Sequence, residues 1–285
     1  MSIAVGVDNL TGPPRFRFGY QLRDCEPSEL RSIAQDVERA GFDVLHTFDH
    51  VGDHWPPMTP LIVAAEATTN LRLCPLVINN DFHHPVDLAR EVAAIDLLSG
   101  GRFELGIGAG HSFTEYAQIG LDFDPPAVRK ARLAESIEII RRLLDGEAVR
   151  HSGEHYRIEG AQVQRTGQQR LPILVGVNGR SALAHAARHA DIIGLMMLGR
   201  TLADGQRHEV RWEPDRLDAT IAHIAANAVG RSTPLELNAL VQRVVITDDR
   251  RGAAEAFAAE VPGLSVDDAL TTLDDLDARA RGVQA

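Results

Sequence analysis

Hydrophobic and polar positions alternate over 16–22, where Phe16, Phe18, Tyr20 and Leu22 share one side, and a period of two predicts a strand. Ser28 caps a predicted helix through Ala40, Gly41 stops it, and 42–48 follows at once as a second strand. The unit then repeats. Helix 60–69 precedes strand 71–78, and Pro85 opens a helix that Gly100 and Gly101 end. Strand 103–109, helix 125–144, a hairpin over 149–158 turning at Ser152 and Gly153, strand 172–177 and helix 181–189 come next. Strand 191–197, helix 214–229, strand 235–247 and helix 252–259 complete the pattern, so seven strands alternate with helices, one short of a (β/α)₈ barrel. No apolar run after 264 supplies an eighth, since 265–279 reads as a charged helix. The expectation is one α/β domain over 1–285: a TIM-type barrel with its eighth strand missing or atypical, a flexible N-terminus over 1–14 and an atypical helical tail over 264–285.

Composition narrows the class. The 285 residues are 44% hydrophobic and 24% charged, which excludes disordered and collagen-like chains. A net charge of −11 disfavours nucleic acid and anionic membranes as partners. It leaves room for a small anion at a helix N-terminus, where the field is local. Cys25 and Cys74 form neither a disulfide framework nor a zinc spacing, which points to a reducing, cytoplasmic compartment. No signal peptide is visible at 1–14, and no segment is apolar for long enough to span a bilayer. Lys130 is the sole lysine; the arginine bias reflects a GC-rich genome rather than function.

In α/β barrels the chemistry lies at the C-terminal ends of the strands. There the sequence offers Asp49 and His50, an acid/base pair in a run that also contains His46 and His54. A solvated polar loop accounts equally for His46 and His54, and a metal cluster conflicts with the alternation of strand side chains. Asn79 and Asn80 present amides suited to a heterocycle edge, or to turn chemistry before Pro85. Gly106, Gly108 and Gly110 would let a flat ring approach the backbone, or make a tight turn, and His111 follows them. Gly176, Val177, Asn178, Gly179 and Arg180 run from a strand into a helix, where free N–H groups bind phosphate or a plain glycine turn forms.

The stretches FRFGYQL, AGFDVLHTFDH, LRLCPLVINNDFHHP, LLSGGRFELGIGAGHSFTEYAQIGLDFDPPAVR and PILVGVNGRSALAHAARHADIIGL resemble the luciferase-like superfamily. They are most similar to its actinobacterial branch of coenzyme F420-dependent oxidoreductases. The resemblance implies a deazaflavin or flavin at the strand C-termini, backed by a non-prolyl cis peptide at Leu76–Val77. It implies phosphate binding at Gly176, Val177, Asn178 and Gly179, a catalytic, cofactor-edge position at Asp49 and His50, and cofactor contact at Thr114 and Glu115. It also implies a homodimer. Sugar-phosphate dehydrogenases of this superfamily carry a glutamate acid where His111 stands, and their phosphate-gripping lysines have no counterpart near Met197, which argues against a sugar-phosphate substrate.

The leading expectation is therefore hydride transfer between F420 and a small organic substrate. His50 moves the proton, oriented by Asp49, with His111 as a second acid or base and Asn79 and Asn80 at the ring edge. The alternatives are an FMN-dependent monooxygenase and a non-catalytic barrel that binds or assembles. A metal hydrolase built on His46, His50 and His54 comes last, and no metal is expected.

Overall fold

The computed structural model describes residues 2–6, 16–195, 198–201, 208–210, 214–241, 244–260 and 264–270. A strand β1 (Ser2–Gly6) is followed by β2 (Phe16–Gln21), α1 (Leu30–Arg39), β3 (Val44–Thr47) and α2 (Met58–Ala67). The third predicted strand is interrupted at Leu76–Val77, giving β4 (Arg72–Pro75) and β5 (Ile78–Asn79), and then comes α3 (Pro85–Leu98). Next are β6 (Leu105–Gly108), α4 (Phe113–Gln118), α5 (Pro126–Leu144), the hairpin β7 (Val149–Ser152) and β8 (Arg157–Ala161), β9 (Ile173–Gly176) and α6 (Arg180–His189). The chain continues through β10 (Ile192–Leu195), a second hairpin β11 (Leu198–Thr201) and β12 (His208–Val210), α7 (Pro214–Asn227), β13 (Glu236–Leu240) and α8 (Arg250–Glu260).

The sheet order is β4-β3-β2-β1-β13-β10-β9-β6-β5. Because β4 and β5 are successive parts of one strand, this order begins and ends on the same stave, and the sheet closes as a barrel of eight staves. Across the seam Leu73 N–H donates to Arg102 O at 3.1 Å, and Glu104 N–H donates to Leu73 O at 2.9 Å. Seven staves are parallel, as the βα pattern requires.

The eighth stave is atypical rather than missing, and it comes from residues 2–6, inside the segment expected to be a flexible N-terminus. β1 fills the gap between β2 and β13, antiparallel to both. An antiparallel strand needs no crossover helix, so it carries no βα signature to read. Of the predicted tail helix 265–279, residues 266–270 are helical, and 271–285 lie outside the described residues, as do 1 and 7–14. The predicted strand 235–247 ends early at Leu240; Val244, Val245 and Ile246 are exposed. Neither α4 nor the β11–β12 hairpin was anticipated. Among the described residues no helix is long and apolar enough to cross a membrane.

Alternation along each stave sorts side chains between two surroundings. Outward residues such as Leu45, Leu73, Ile107, Ile173 and Ile193 join the large apolar layer beneath the helices. Inward residues Val44, Cys74, Leu76, Leu174 and Ile192 form a separate small cluster inside the barrel. Below it four charged residues meet across the lumen. Arg17 Nη1 donates to Glu104 Oε1 at 2.7 Å and Arg17 Nη2 to Glu236 Oε1 at 2.7 Å, while Arg72 Nε also pairs with Glu104. Burial opposes the Glu104 charge, but Arg17 and Arg72 outweigh it and hold the carboxyl below its usual range. Burial dominates at Glu236 and raises it.

Candidate active site

The seven parallel staves all end at one mouth, and register decides what lines it. Gly108 of β6 pairs with Asn79 of β5 and with Gly176 of β9; Gly176 pairs with Gly194 of β10, and Gly194 with Asn238 of β13. Alternation places Gly176 and Gly194 on the same side as the inward Leu174 and Ile192. Three adjacent staves thus present backbone only, between two asparagines buried to 7% and 4% exposure. A Cβ at Gly108 would stand 2.8 Å from Val77 Cγ2 and 3.2 Å from Gly176 O, so the row admits no side chain there. The Leu76–Val77 peptide beside it is cis.

The next stave end turns into α6. Gly179, at φ +91°, takes a left-handed turn that only glycine adopts readily. No side chain caps the helix start, and its first turn holds no acidic residue. Its leading N–H groups and dipole therefore favour an anion. Lys130 Nζ donates to Asn178 O at 2.8 Å and stands 3.3 Å from where a Gly179 Cβ would be. Burial, and Arg129 after it, lower the pKa of this lysine. The donor set of this corner, backbone N–H groups plus one ammonium, fits a phosphate.

Three helix residues of α5 brace the mouth. Arg129 donates to Ala109 O at 3.0 Å and to Gly110 O, Lys130 reaches the turn after β9 as described, and Arg132 Nη1 pairs with Asp81 Oδ2 at 2.8 Å. Sequence reasoning noted Lys130 only as the sole lysine. Its isolation among arginines was the available signal. Tyr116 was also missed. It is 1% exposed, and its hydroxyl reaches Asp81 Oδ2 at 2.9 Å and Asn79 Oδ1 at 3.2 Å. Asn238 carried no local signal.

His50 stands at the mouth with a different partner from the one expected. Its Nδ1 lies 2.8 Å from Glu115 Oε1 of α4, and its ring meets His111 edge-on at a centroid distance of 5.6 Å. Asp49 turns instead to the next stave. Its Oδ2 accepts from Asn79 N–H at 2.8 Å and lies 3.7 Å from His83 Nε2. Consecutive residues leaving a strand point apart, so a neighbouring Asp could not serve His50 as its orienting group. Thr114 contacts Ser112 through their hydroxyls at 3.0 Å, one residue from Glu115.

The two asparagines part company. Asn79 lines the mouth, with its Oδ1 engaged by Tyr116 and by Asp81 N–H at 3.1 Å. Asn80 is 1% exposed and its Nδ2 lies 3.3 Å from the Tyr156 hydroxyl, so the structure sets it against the β7–β8 hairpin rather than at a ring edge. His46 is buried inside the barrel, Nδ1 at 3.0 Å from Cys74 O, and burial pushes its pKa down to about 4. His54 pairs with Asp24 at 3.0 Å. His46, His50 and His54 thus have three separate sets of partners and do not converge on one ion. The site comparison near Met197 falls outside the described residues.

Known proteins agree with this architecture. The chain is 34% identical over 189 residues to an F420-dependent glucose-6-phosphate dehydrogenase of Nakamurella multipartita, covering 63% of this chain and 56% of that protein. It is 33% identical over 177 residues to a 5,10-methylenetetrahydromethanopterin reductase of Archaeoglobus fulgidus, covering 61% and 51%. The matched region thus spans little more than half the length of these curated relatives. An F420-dependent secondary alcohol dehydrogenase solved with an F420-acetone adduct shares the fold, with a TM-score of 0.68 at 18% identity over 94% of this chain and 83% of that one. The family described as luciferase-like monooxygenase matches residues 13–280, nearly the whole chain, and this protein belongs to it.

Proposed function

We propose that this protein is an oxidoreductase that uses coenzyme F420 to move a hydride to or from a small organic substrate. The observation that carries the reading is the side-chain-free row Gly108, Gly176 and Gly194, leading directly into the uncapped start of α6 beside Lys130. A flat ring fits over the row, and its phosphate fits the corner. The F420-dependent name of the curated glucose-6-phosphate dehydrogenase relatives supports the choice of cofactor. When bound, the deazaflavin supplies the hydride chemistry.

The chain's own residues then divide the work. Gly176, Val177, Asn178, Gly179 and Arg180, with Lys130, would hold the phosphate. Leu76, Val77, Asn79 and Gly108 would position the ring, with Thr114 at its border and Asn238 at the far end of the row. His50 would hold or move the proton. A carboxylate on Nδ1 favours the tautomer protonated there and leaves Nε2 as the acceptor, so Glu115 is the orienting group. His111, against the His50 ring, is the second acid or base facing substrate. Asp49 braces the mouth through the Asn79 backbone. A sugar phosphate is not the proposed substrate, because His111 stands where the sugar-phosphate enzymes carry their acid. The homodimer implied by the resemblance belongs to the same proposal and is checked by sedimentation.

Fluorescence titration of the purified protein with F420 and with FMN tests the reading. Tight F420 binding with weak FMN binding is the expected result. The reverse preference moves the chain to the FMN-dependent monooxygenases. Binding of neither overturns the redox assignment in favour of a barrel that binds or assembles.

A further inference from the structure

The helices that build the phosphate corner meet again at their far ends. α6 starts at the mouth and runs ten residues back along the barrel, ending at His189. His185 and His189, four residues apart, lie one above the other on a single helix face. Their rings stack at a centroid distance of 4.4 Å and an interplanar angle of 25°. Glu138 of α5 faces them. One ligand atom from each of Glu138, His185 and His189 lies within 4.8 Å of the other two.

A second observation marks the same place. His185 Nε2 is buried and has no hydrogen-bond partner among the described residues. A buried polar atom left unsatisfied is costly, so this one invites a ligand. Burial, aided at His185 by the His189 ring, holds both imidazoles below their ordinary pKa and favours the neutral form that binds metals. Arg188, and at His189 also Arg231, oppose a cation here, while Glu138 favours one.

We propose that Glu138, His185 and His189 bind a divalent transition-metal ion of the zinc class between α5 and α6. Two imidazole nitrogens and one carboxylate suit such an ion, with water completing the shell. Tetrahedral ligands at zinc stand roughly 3.3 Å apart, so each pair closes by at most about 1.5 Å through side-chain rotation. None of the three residues belongs to the mouth. The ion acts as a clamp: it ties the helix bearing Lys130 to the helix that begins at Gly179. It takes no part in the proposed redox reaction, and its test is independent of that reading.

Tag-free, chelator-treated protein is titrated with Zn²⁺ alone by calorimetry and with Co²⁺ alone by visible absorption. One equivalent bound, a Co²⁺ ligand-field band and a raised melting temperature are expected. Glu138→Gln and His189→Asn each weaken binding roughly tenfold or more, since even outer-sphere supports cost that much when lost. The circular dichroism of both metal-free variants stays that of the parent protein. Absence of saturable binding, or equal binding by a Glu138→Gln/His189→Asn double variant, overturns the proposal.

Discussion

Replacing Lys130 by methionine isolates the ammonium, because the apolar stem is kept while the charge is removed. In the structure that ammonium sits 2.8 Å from Asn178 O and beside the uncapped start of α6. Two unit charges 4 Å apart attract by about 4 kcal/mol at an effective dielectric constant of 20, before desolvation is subtracted. Hydrogen bonds to charged groups contribute about 1.5–3 kcal/mol net, the better guide for a half-buried lysine. Lys130→Met therefore weakens F420 binding by roughly 10- to 100-fold. The loss shrinks as salt screens the pair. Because burial and Arg129 depress the lysine, affinity in the parent protein declines at a lower alkaline pH than for an ordinary lysine, and the variant lacks that limb. Fluorescence titration at two salt concentrations and across a series of alkaline pH values reads all three effects, with circular dichroism confirming the fold. A dissociation constant within about twofold of the parent at low salt would remove Lys130 from the phosphate corner.

Four further outcomes follow from the geometry. His50→Ala lowers turnover by about 10²–10⁴-fold with little change in F420 affinity, and Glu115→Gln lowers it less; equal losses of affinity and turnover would make His50 a binding residue. Gly108→Val places a side chain on the bare row, against Val77 Cγ2 and Gly176 O, and should abolish cofactor binding; unchanged affinity would move the ring elsewhere. Gly179→Val strains a φ of +91° and crowds Lys130, so F420 affinity falls in titration, whereas an unchanged value would exclude this turn. Glu104→Gln leaves two arginines short of a buried anion and costs about 3 kcal/mol, or roughly 6–10 °C in melting temperature. Glu104 sits below its usual pKa in the fold, so it binds fewer protons there than in the unfolded chain. Its contribution is present above the unfolded carboxylate range and fades as pH falls through the folded value, so parent and variant melting curves should converge in acid.

The local pattern of the chain determined a great deal. A period of two in 16–22, glycine stops at Gly41 and Gly100, and proline at Pro85 specify strands and helices through contacts a few residues long. Burial of one face needs no knowledge of the partner. The seven βα staves, the glycine turn at Gly179 and the candidate histidines were legible for that reason. Tertiary structure alone decided which residues meet. The partner of His50 is 65 residues away, and Lys130 is 48 residues from Asn178. Asp49, adjacent in sequence, was the natural guess, but strand geometry turns it toward Asn79. The antiparallel β1 has no helix to announce it, and its place follows only from the gap between β2 and β13. The bare row depends on register, since Gly108, Gly176 and Gly194 come from three different strands. Periodicity encodes which side of an element is buried; closure of the sheet sets which buried sides face one another, and the proposed chemistry depends on that closure.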